Sequence, residues 1–181
     1  METWNELDTK LFEFLNSADL GPVLTDMMVF LSNRELWFII VGGYFLVGFF
    51  RERMAFLKIA VALTSVVIVT DWVSYRLIKQ SVGRMRPCHV LENVRLVAEG
   101  CGGDLSFPSN HAANGMAFIV LLWLIKRKVV YLWLLFPVLA VGYSRIVLGV
   151  HYPFDVLGGF VVGAFFAGLF YGVGKAIKVF H

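Results

Sequence analysis

The chain has 181 residues with a formal net charge of +3, and 59% of its residues are hydrophobic. Soluble domains usually hold about 45–50% apolar residues, so this content and a mean hydropathy of +0.74 favour a membrane protein over a soluble one. The basic residues fall in small groups between apolar runs and form no basic stripe, so we expect no nucleic acid among the partners. No repeat or linker divides the chain, which predicts one domain over residues 1–181.

An amphipathic helix comes first in chain order. Residues 2–16 place five apolar side chains at helical spacing with four charged ones between them, which predicts an interfacial helix. The apolar set is Trp4, Leu7, Leu11, Phe12 and Leu15, and the charged set is Glu6, Asp8, Lys10 and Glu13. Residues 18–33 carry several polar positions, so we assign residues 1–34 to an interfacial N-terminal segment and keep a sixth span there only as an alternative.

Five later runs are apolar enough to cross or nearly cross a bilayer, at residues 36–50, 55–77, 109–125, 129–150 and 155–173. The predicted fold class is therefore all-α, a polytopic membrane helical bundle of five spans plus the N-terminal interfacial helix. Asp71 lies inside the second run, where we expect it to pair with Arg76 or Tyr75 or to serve the substrate or a proton.

The basic residues of the short connections predict the orientation. The basic groups follow the first, third and fifth runs, so two spans separate each group from the next and all three lie on the same side of the membrane. The positive-inside rule makes that side cytoplasmic. The groups are Arg51, Arg53 and Lys58, then Lys126, Arg127 and Lys128, then Lys175 and Lys178. Polar clusters at the opposite helix ends would then face outward, which in a double-membraned bacterium means the periplasmic side of the inner membrane.

The largest loop, residues 88–107, lies on that outer side and contains both cysteines, Cys88 and Cys101. Outside the cytoplasm a disulfide between them is chemically allowed, and closing the loop would stabilise the fold by roughly 3 kcal/mol in the chain-entropy model. Two free thiols are the simpler alternative. A zinc site with His89 is a third, although only three soft ligands lie nearby.

Three polar clusters interrupt the apolar chain, over residues 79–87, 108–111 and 144–155. Transfer of a phosphoryl group needs cationic donors, together with a nucleophile and an acid on opposite sides of phosphorus, and the clusters supply all of these. Lys79 and Arg86 are seven residues apart, about two helical turns, which predicts that both project from one face at the outer end of the second span.

The second and third clusters predict an anion site beside two histidines. Ser109 is a natural N-cap of the third span, whose first backbone N–H groups bind anions, and His111 lies in its first turn. Arg145 comes late in the fourth span, where a bidentate phosphate contact would offset the cost of its burial. Asp155 follows His151 by four residues in the first turn of the last span, within reach of one imidazole nitrogen.

In order and spacing these clusters resemble the signature of the type 2 phosphatidic acid phosphatase family, membrane lipid phosphatases related to the vanadium haloperoxidases. That signature reads K-x6-R-P, P-S-G-H and S-R-x5-H-x3-D, and residues 79–155 depart from it only at Asn110, where Gly is usual. The resemblance implies a helical membrane bundle that hydrolyses a phosphomonoester or pyrophosphate on a lipid, with no metal and no other cofactor.

The resemblance also implies a role for each residue of the signature. His151 would attack phosphorus and form a phosphohistidine with Asp155 orienting its ring, and His111 would protonate the leaving oxygen and later activate water. The phosphate-binding residues would be Lys79, Arg86, Ser109, Asn110 and Arg145.

The family offers five lipid substrates, which are phosphatidylglycerol phosphate, undecaprenyl pyrophosphate, lipid A 1-phosphate, phosphatidic acid and diacylglycerol pyrophosphate. A lipid phosphotransferase with the same phosphohistidine is the main alternative function. A channel or carrier is a remote one, since it would also explain charge inside the membrane. The sequence leaves the substrate and the oligomeric state open.

Overall fold

The computed structural model describes residues 3–98 and 100–180, so residue 2, where the first helix is expected to begin, lies outside the described part. Within those ranges the protein is helical, with one isolated β-bridge between Met85 and Leu105. A π-helical turn, Ser74–Ile78, joins α3 to α4, and a 3₁₀ helix, Val129–Leu134, precedes α7. The α-helices are α1 Trp4–Asn16, α2 Gly21–Ser32, α3 Arg34–Val73, α4 Lys79–Val82, α5 Pro87–Val90, α6 Asn110–Lys126, α7 Leu135–Val147 and α8 Pro153–Ala176.

Helix α3 consists of two arms joined at a sharp kink. Arg53 has non-helical backbone angles, with φ 41°, and falls in the basic connection that the sequence places between the first two apolar runs. The first arm is Arg34–Arg51, and the second runs from Phe56 through the π-helical turn and α4 to Val82. The second arm alone is long and apolar enough to cross a membrane, whereas the first arm reaches that length only together with α2.

The centre of the bundle is α6, which packs most extensively on α8 and also contacts α3 and α7. Its contact face consists of the fully buried alanines Ala112, Ala113 and Ala117. On α8 the facing positions are Gly159 and Gly163, where a Cβ would lie 2.6 Å from the carbonyl oxygen of residue 109 and 2.9 Å from the amide nitrogen of residue 117, respectively. Small residues four apart let two membrane helices approach closely, and this approach holds the start of α6 against the start of α8.

Three helices in the described part of the chain are long and apolar enough to cross a membrane, namely Phe56–Val82, Val129–Val147 and Pro153–Ala176. A fourth span results if α2 and the first arm of α3, which meet at a 60° bend, count together. The central helix α6 has only 17 residues. The membrane helices are thus confirmed, whereas the count of five or six spans stays a prediction.

The N-terminal helix α1 buries a polar face. Asp8, Phe12 and Asn16, four residues apart, are buried against the bundle, while the apolar Trp4 and Phe14 are 78% and 75% exposed. The amide of Asn16 donates to the carbonyl oxygen of Val147 at 3.0 Å, at the end of α7. Its outward apolar side chains suit a lipid interface, but no local pattern predicts that Asp8 is enclosed in the protein.

Candidate active site

The three polar clusters meet at one end of the bundle, where the first of them leaves the helix early. Helix α4 ends at Val82 because Gly83 adopts a left-handed conformation with φ 64°, and Arg86 has an extended backbone. The backbone N–H of Arg86 donates to the backbone carbonyl oxygen of Asp104 at 3.0 Å. The prediction that Lys79 and Arg86 project from one helix face is therefore wrong, since a glycine ends the helix before Arg86.

Lys79 is almost fully buried and holds the segment ahead of α6. Its ammonium group donates to three backbone carbonyl oxygens, those of Leu105 at 3.2 Å, Ser106 at 2.8 Å and Pro108 at 2.6 Å. An ammonium has three N–H donors, so all of them are used here. Lys79 thus supports the 105–108 turn and brings a positive charge beneath Ser109.

Arg86 is held by the loop that the cysteines close. A disulfide joins Cys88 to Cys101, with 5.9 Å between their Cα atoms. The two alternatives, free thiols and a zinc site that includes His89, are therefore wrong. The Arg86 guanidinium donates to the carbonyl oxygens of Cys101 at 2.9 Å and of Leu105 at 3.3 Å. Burial lowers the pKa of Arg86 below its usual value, and an anion beside the guanidinium would offset that effect.

Two buried donors at the start of α6 and the end of α7 have no protein partner. The hydroxyl of Ser109 and Nε of Arg145 are enclosed, and neither forms a hydrogen bond with the described residues. Ser109 occupies the N-cap position of α6, but its hydroxyl does not cap the helix. The Arg145 guanidinium is oriented by its Nη1, which donates to the hydroxyl of Ser32 at the end of α2. Buried polar groups are rarely left unpaired, so these two donors are candidates for binding an anion.

His151 is fully enclosed and turns one ring nitrogen toward a buried carboxylate. Its Nδ1 lies 3.6 Å from Oδ2 of Asp155 and 3.3 Å from the hydroxyl of Ser106. Asp155 is itself fixed, because the same oxygen accepts from the Tyr152 N–H at 2.8 Å and from the Ser106 hydroxyl. Burial lowers the pKa of His151 below its usual 6.5. A neutral ring with its proton on Nδ1 leaves a lone pair on Nε2.

Three residues of this network are not predicted as site residues from the sequence, namely Arg84, Asp8 and Ser106. The Nη1 atom of Arg84 lies 2.7 Å from Asp8 and 3.0 Å from Asp155, and its guanidinium stacks 4.0 Å from the centre of the Tyr152 ring. Arg84 stands inside the first polar cluster, where a second arginine was a visible signal. Asp8 gave none, because it reads as one charged position of an amphipathic helix.

Asn110 and His111 lie in the first turn of α6, and Asn110 contacts Asp71 of α3. The Asn110 amide donates to the Asp71 carboxylate at 2.8 Å, as does the Asn114 amide. The expected pairing of Asp71 with Arg76 or Tyr75 is therefore wrong, since the Arg76 guanidinium lies over the Tyr75 ring.

Residues 55–177 match the PAP2 superfamily. The chain belongs to this phosphatase family. It is therefore a hydrolase, and each of its three signature clusters lies within or at the border of the site described above.

Relatives with known names fit this assignment. The chain is 28% identical to a lipid A 4'-phosphatase from Bacteroides thetaiotaomicron, over 94% of this chain and 78% of the relative. It is 30% identical to the bacitracin transport permease protein BcrC of Bacillus licheniformis, over 89% and 77%. A solved PAP2-type phosphatidylglycerolphosphate phosphatase from Bacillus subtilis has the same fold, with a TM-score of 0.74 at 22% identity over 98% of this chain and 89% of that one.

Proposed function

We propose that the protein hydrolyses a phosphomonoester or pyrophosphate on a membrane lipid through a phosphohistidine. The observation that carries the proposal is the pair of unpaired buried donors, on Ser109 and Arg145, in the site that contains His151. A phosphoryl group would satisfy both donors while Arg86 and Lys79 add positive charge. Such preorganised donors stabilise the charge of the transferring group.

In the first step Nε2 of His151 attacks phosphorus. The bond from phosphorus to the leaving oxygen breaks as the N–P bond forms, and His111 gives its proton to that oxygen. Asp155 accepts from Nδ1 and stabilises the positive ring, as the aspartate does in Ser-His-Asp enzymes. In the second step His111 takes a proton from water, the water oxygen attacks phosphorus, and inorganic phosphate leaves as the N–P bond breaks.

We propose that this chemistry needs no metal. The residues around the phosphate position are lysine, arginine, serine and histidine, whereas Mg²⁺ and Ca²⁺ prefer several oxygen ligands. Within residues 3–98 and 100–180 no three His, Cys, Asp or Glu side chains come together as a metal site. Arg86 and Arg145 would neutralise the negative charge of the phosphoryl group, which a metal ion does in other enzymes.

The substrate class follows from the membrane setting. An amphiphile can raise its head group to the site while its tails stay among the helices, and the relatives named above act on lipid A and on phosphatidylglycerol phosphate. We add undecaprenyl pyrophosphate, phosphatidic acid and diacylglycerol pyrophosphate as candidates. We place the protein in the bacterial inner membrane with its site on the periplasmic face, on the basis of the basic connections at the opposite helix ends.

The test is phosphate release by the purified protein in detergent, measured across these five lipids, with and without excess EDTA. We expect release from at least one lipid, unchanged by EDTA and inhibited by vanadate, which mimics five-coordinate phosphorus. No release from any of them, or a loss in EDTA that Mg²⁺ restores, contradicts the proposal.

The same assay separates the alternatives. A phosphotransferase would release little inorganic phosphate, and on addition of a second lipid it would pass the phosphoryl group to that acceptor. A carrier, which the name of the Bacillus licheniformis relative suggests, would move a ligand across liposome membranes without releasing phosphate.

A further inference from the structure

The N-terminal helix reaches the reacting groups through Asp8. This carboxylate is completely enclosed, and one of its oxygens accepts from the Phe154 N–H at 2.9 Å, in the first turn of α8. The other oxygen lies 2.7 Å from Nη1 of Arg84. Asp8 lies 47 positions ahead of residues 55–177, which match the family, and the packing of α1 against α8 brings it to the site.

A single Arg84 nitrogen is shared between two buried carboxylates. Nη1 lies 2.7 Å from Asp8 and 3.0 Å from Asp155, and both carboxylates have no exposed surface. In a site of low dielectric each ion pair acts strongly. Asp8 therefore takes part of the field of Arg84 that would otherwise act on Asp155 alone.

The balance matters because Asp155 has a second task. Its Oδ2 faces Nδ1 of His151 while its Oδ1 faces Arg84. If Asp8 lost its charge, Arg84 would draw more of the negative charge of Asp155 toward Oδ1. The carboxylate would then stabilise the positive ring of His151 less well during attack on phosphorus.

We propose that Asp8 is a positioning residue for phosphoryl transfer, acting through Arg84 on the Asp155–His151 pair, so that helix α1 completes the active site. This proposal rests on the proposed function. It assigns no contact with substrate to Asp8, so the rate of the chemical step should depend on its charge while lipid binding should not.

Asp8→Asn isolates that charge, because an amide oxygen can still accept from the Phe154 N–H. We expect kcat to fall by about 10-fold or more with KM within a factor of two, since an interaction made in the transition state is lost. Glu13→Gln is the matched control on the same helix, at an exposed position, and we expect it to leave both constants unchanged.

A double-mutant cycle with Arg84→Met tests the route. If Asp8 acts through Arg84, the double variant should lose no more activity than Arg84→Met alone. Losses that multiply, or an unchanged kcat in Asp8→Asn, overturn the proposal. A merely structural role would instead lower the thermal midpoint and leave kcat per folded molecule unchanged, which also overturns it.

Failure to fold would not leave the question open. If Asp8→Asn does not fold in detergent, Arg84→Met alone must still show a lower kcat at constant KM. An unchanged kcat in Arg84→Met would overturn the proposal that Asp8 acts through Arg84. If the unaltered protein releases no phosphate from any lipid, the proposed function fails first. If the unaltered protein is active and Asp8→Asn keeps the full kcat, the proposed function stands and only the role of Asp8 is overturned.

Discussion

The backbone N–H of Ser109 donates to the backbone carbonyl oxygen of Asp155 at 2.9 Å. This bond ties the second signature cluster directly to the third, although 46 positions separate the two residues in the sequence. It forms where α6 and α8 begin, next to Gly159, whose missing side chain leaves room for the Ser109 carbonyl. Ser109 and Asp155 thus lie at the same corner of the bundle.

Gly159→Ala is expected to open this corner. The new Cβ would lie 2.6 Å from the Ser109 oxygen and 2.9 Å from Cβ of Ala112, so α6 must move away from α8. Overpacking of this kind costs about 1–3 kcal/mol, and we expect a lower thermal midpoint together with slower phosphate release. Gly168→Ala on the same helix is the control, because no described atom lies within 4 Å of its Cβ. Equal midpoints for the two variants would contradict the close helix contact.

Stability should depend on pH through His151. Its folded-state pKa is lowered by burial below 6.5, so below pH 6.5 the unfolded chain binds a proton that the folded protein does not. Folding stability therefore falls as the pH drops through this range, by up to about 1.4 kcal/mol per pH unit for one proton. Thermal midpoints in detergent from pH 8 to pH 5 should show this fall, and His151→Gln should show a shallower one. Identical slopes would mean that His151 is protonated in the folded protein.

The disulfide should support substrate binding as well as stability. The carbonyl oxygen of Cys101 accepts from Arg86 at 2.9 Å, so a loosened loop releases one side of that guanidinium. We expect the Cys88→Ser, Cys101→Ser double variant to lose roughly 3 kcal/mol of stability in the chain-entropy model and to show a raised KM. Phosphate release at varied lipid concentration, with reductant-treated unaltered protein alongside, checks this. A KM that stays constant in both samples would show that the loop does not contribute to substrate binding.

The proposed orientation can be read by thiol labelling in intact cells. Asn93 is exposed in the loop between Cys88 and Cys101, and Lys128 is exposed in the connection between α6 and the 3₁₀ helix. In the natural background both cysteines are bridged, so only an introduced cysteine reacts. A membrane-impermeant reagent should label Asn93→Cys and not Lys128→Cys. The reverse pattern would place the site on the cytoplasmic side.

The local structure of the signature followed from its residue types. Pro153 and Asp155 begin α8, Ser109 precedes α6, and the spacing of four residues sets His151 beside Asp155, because these features act within one or two turns. The early helix end at Gly83 was harder to predict, since one left-handed glycine outweighed the helical spacing of Lys79 and Arg86.

Contacts between distant segments could not be read from the sequence. The apolar stripe of α1 indicates an amphipathic helix, but the burial of Asp8 depends on Arg84, which lies 76 positions later. In the same way Asp71 finds its partners on α6 rather than within its own helix. Local periodicity describes one element at a time, whereas these pairs depend on how two elements pack.

The proposed mechanism requires that His151 form a covalent bond to phosphorus. The most direct measurement mixes the protein with a lipid carrying a radioactive terminal phosphate, stops the reaction in base, where phosphohistidine survives, and follows the label on the protein. We expect label on the unaltered protein and none on His151→Ala, which should also release no phosphate while staying folded. Phosphate release by His151→Ala at the full rate would contradict the account.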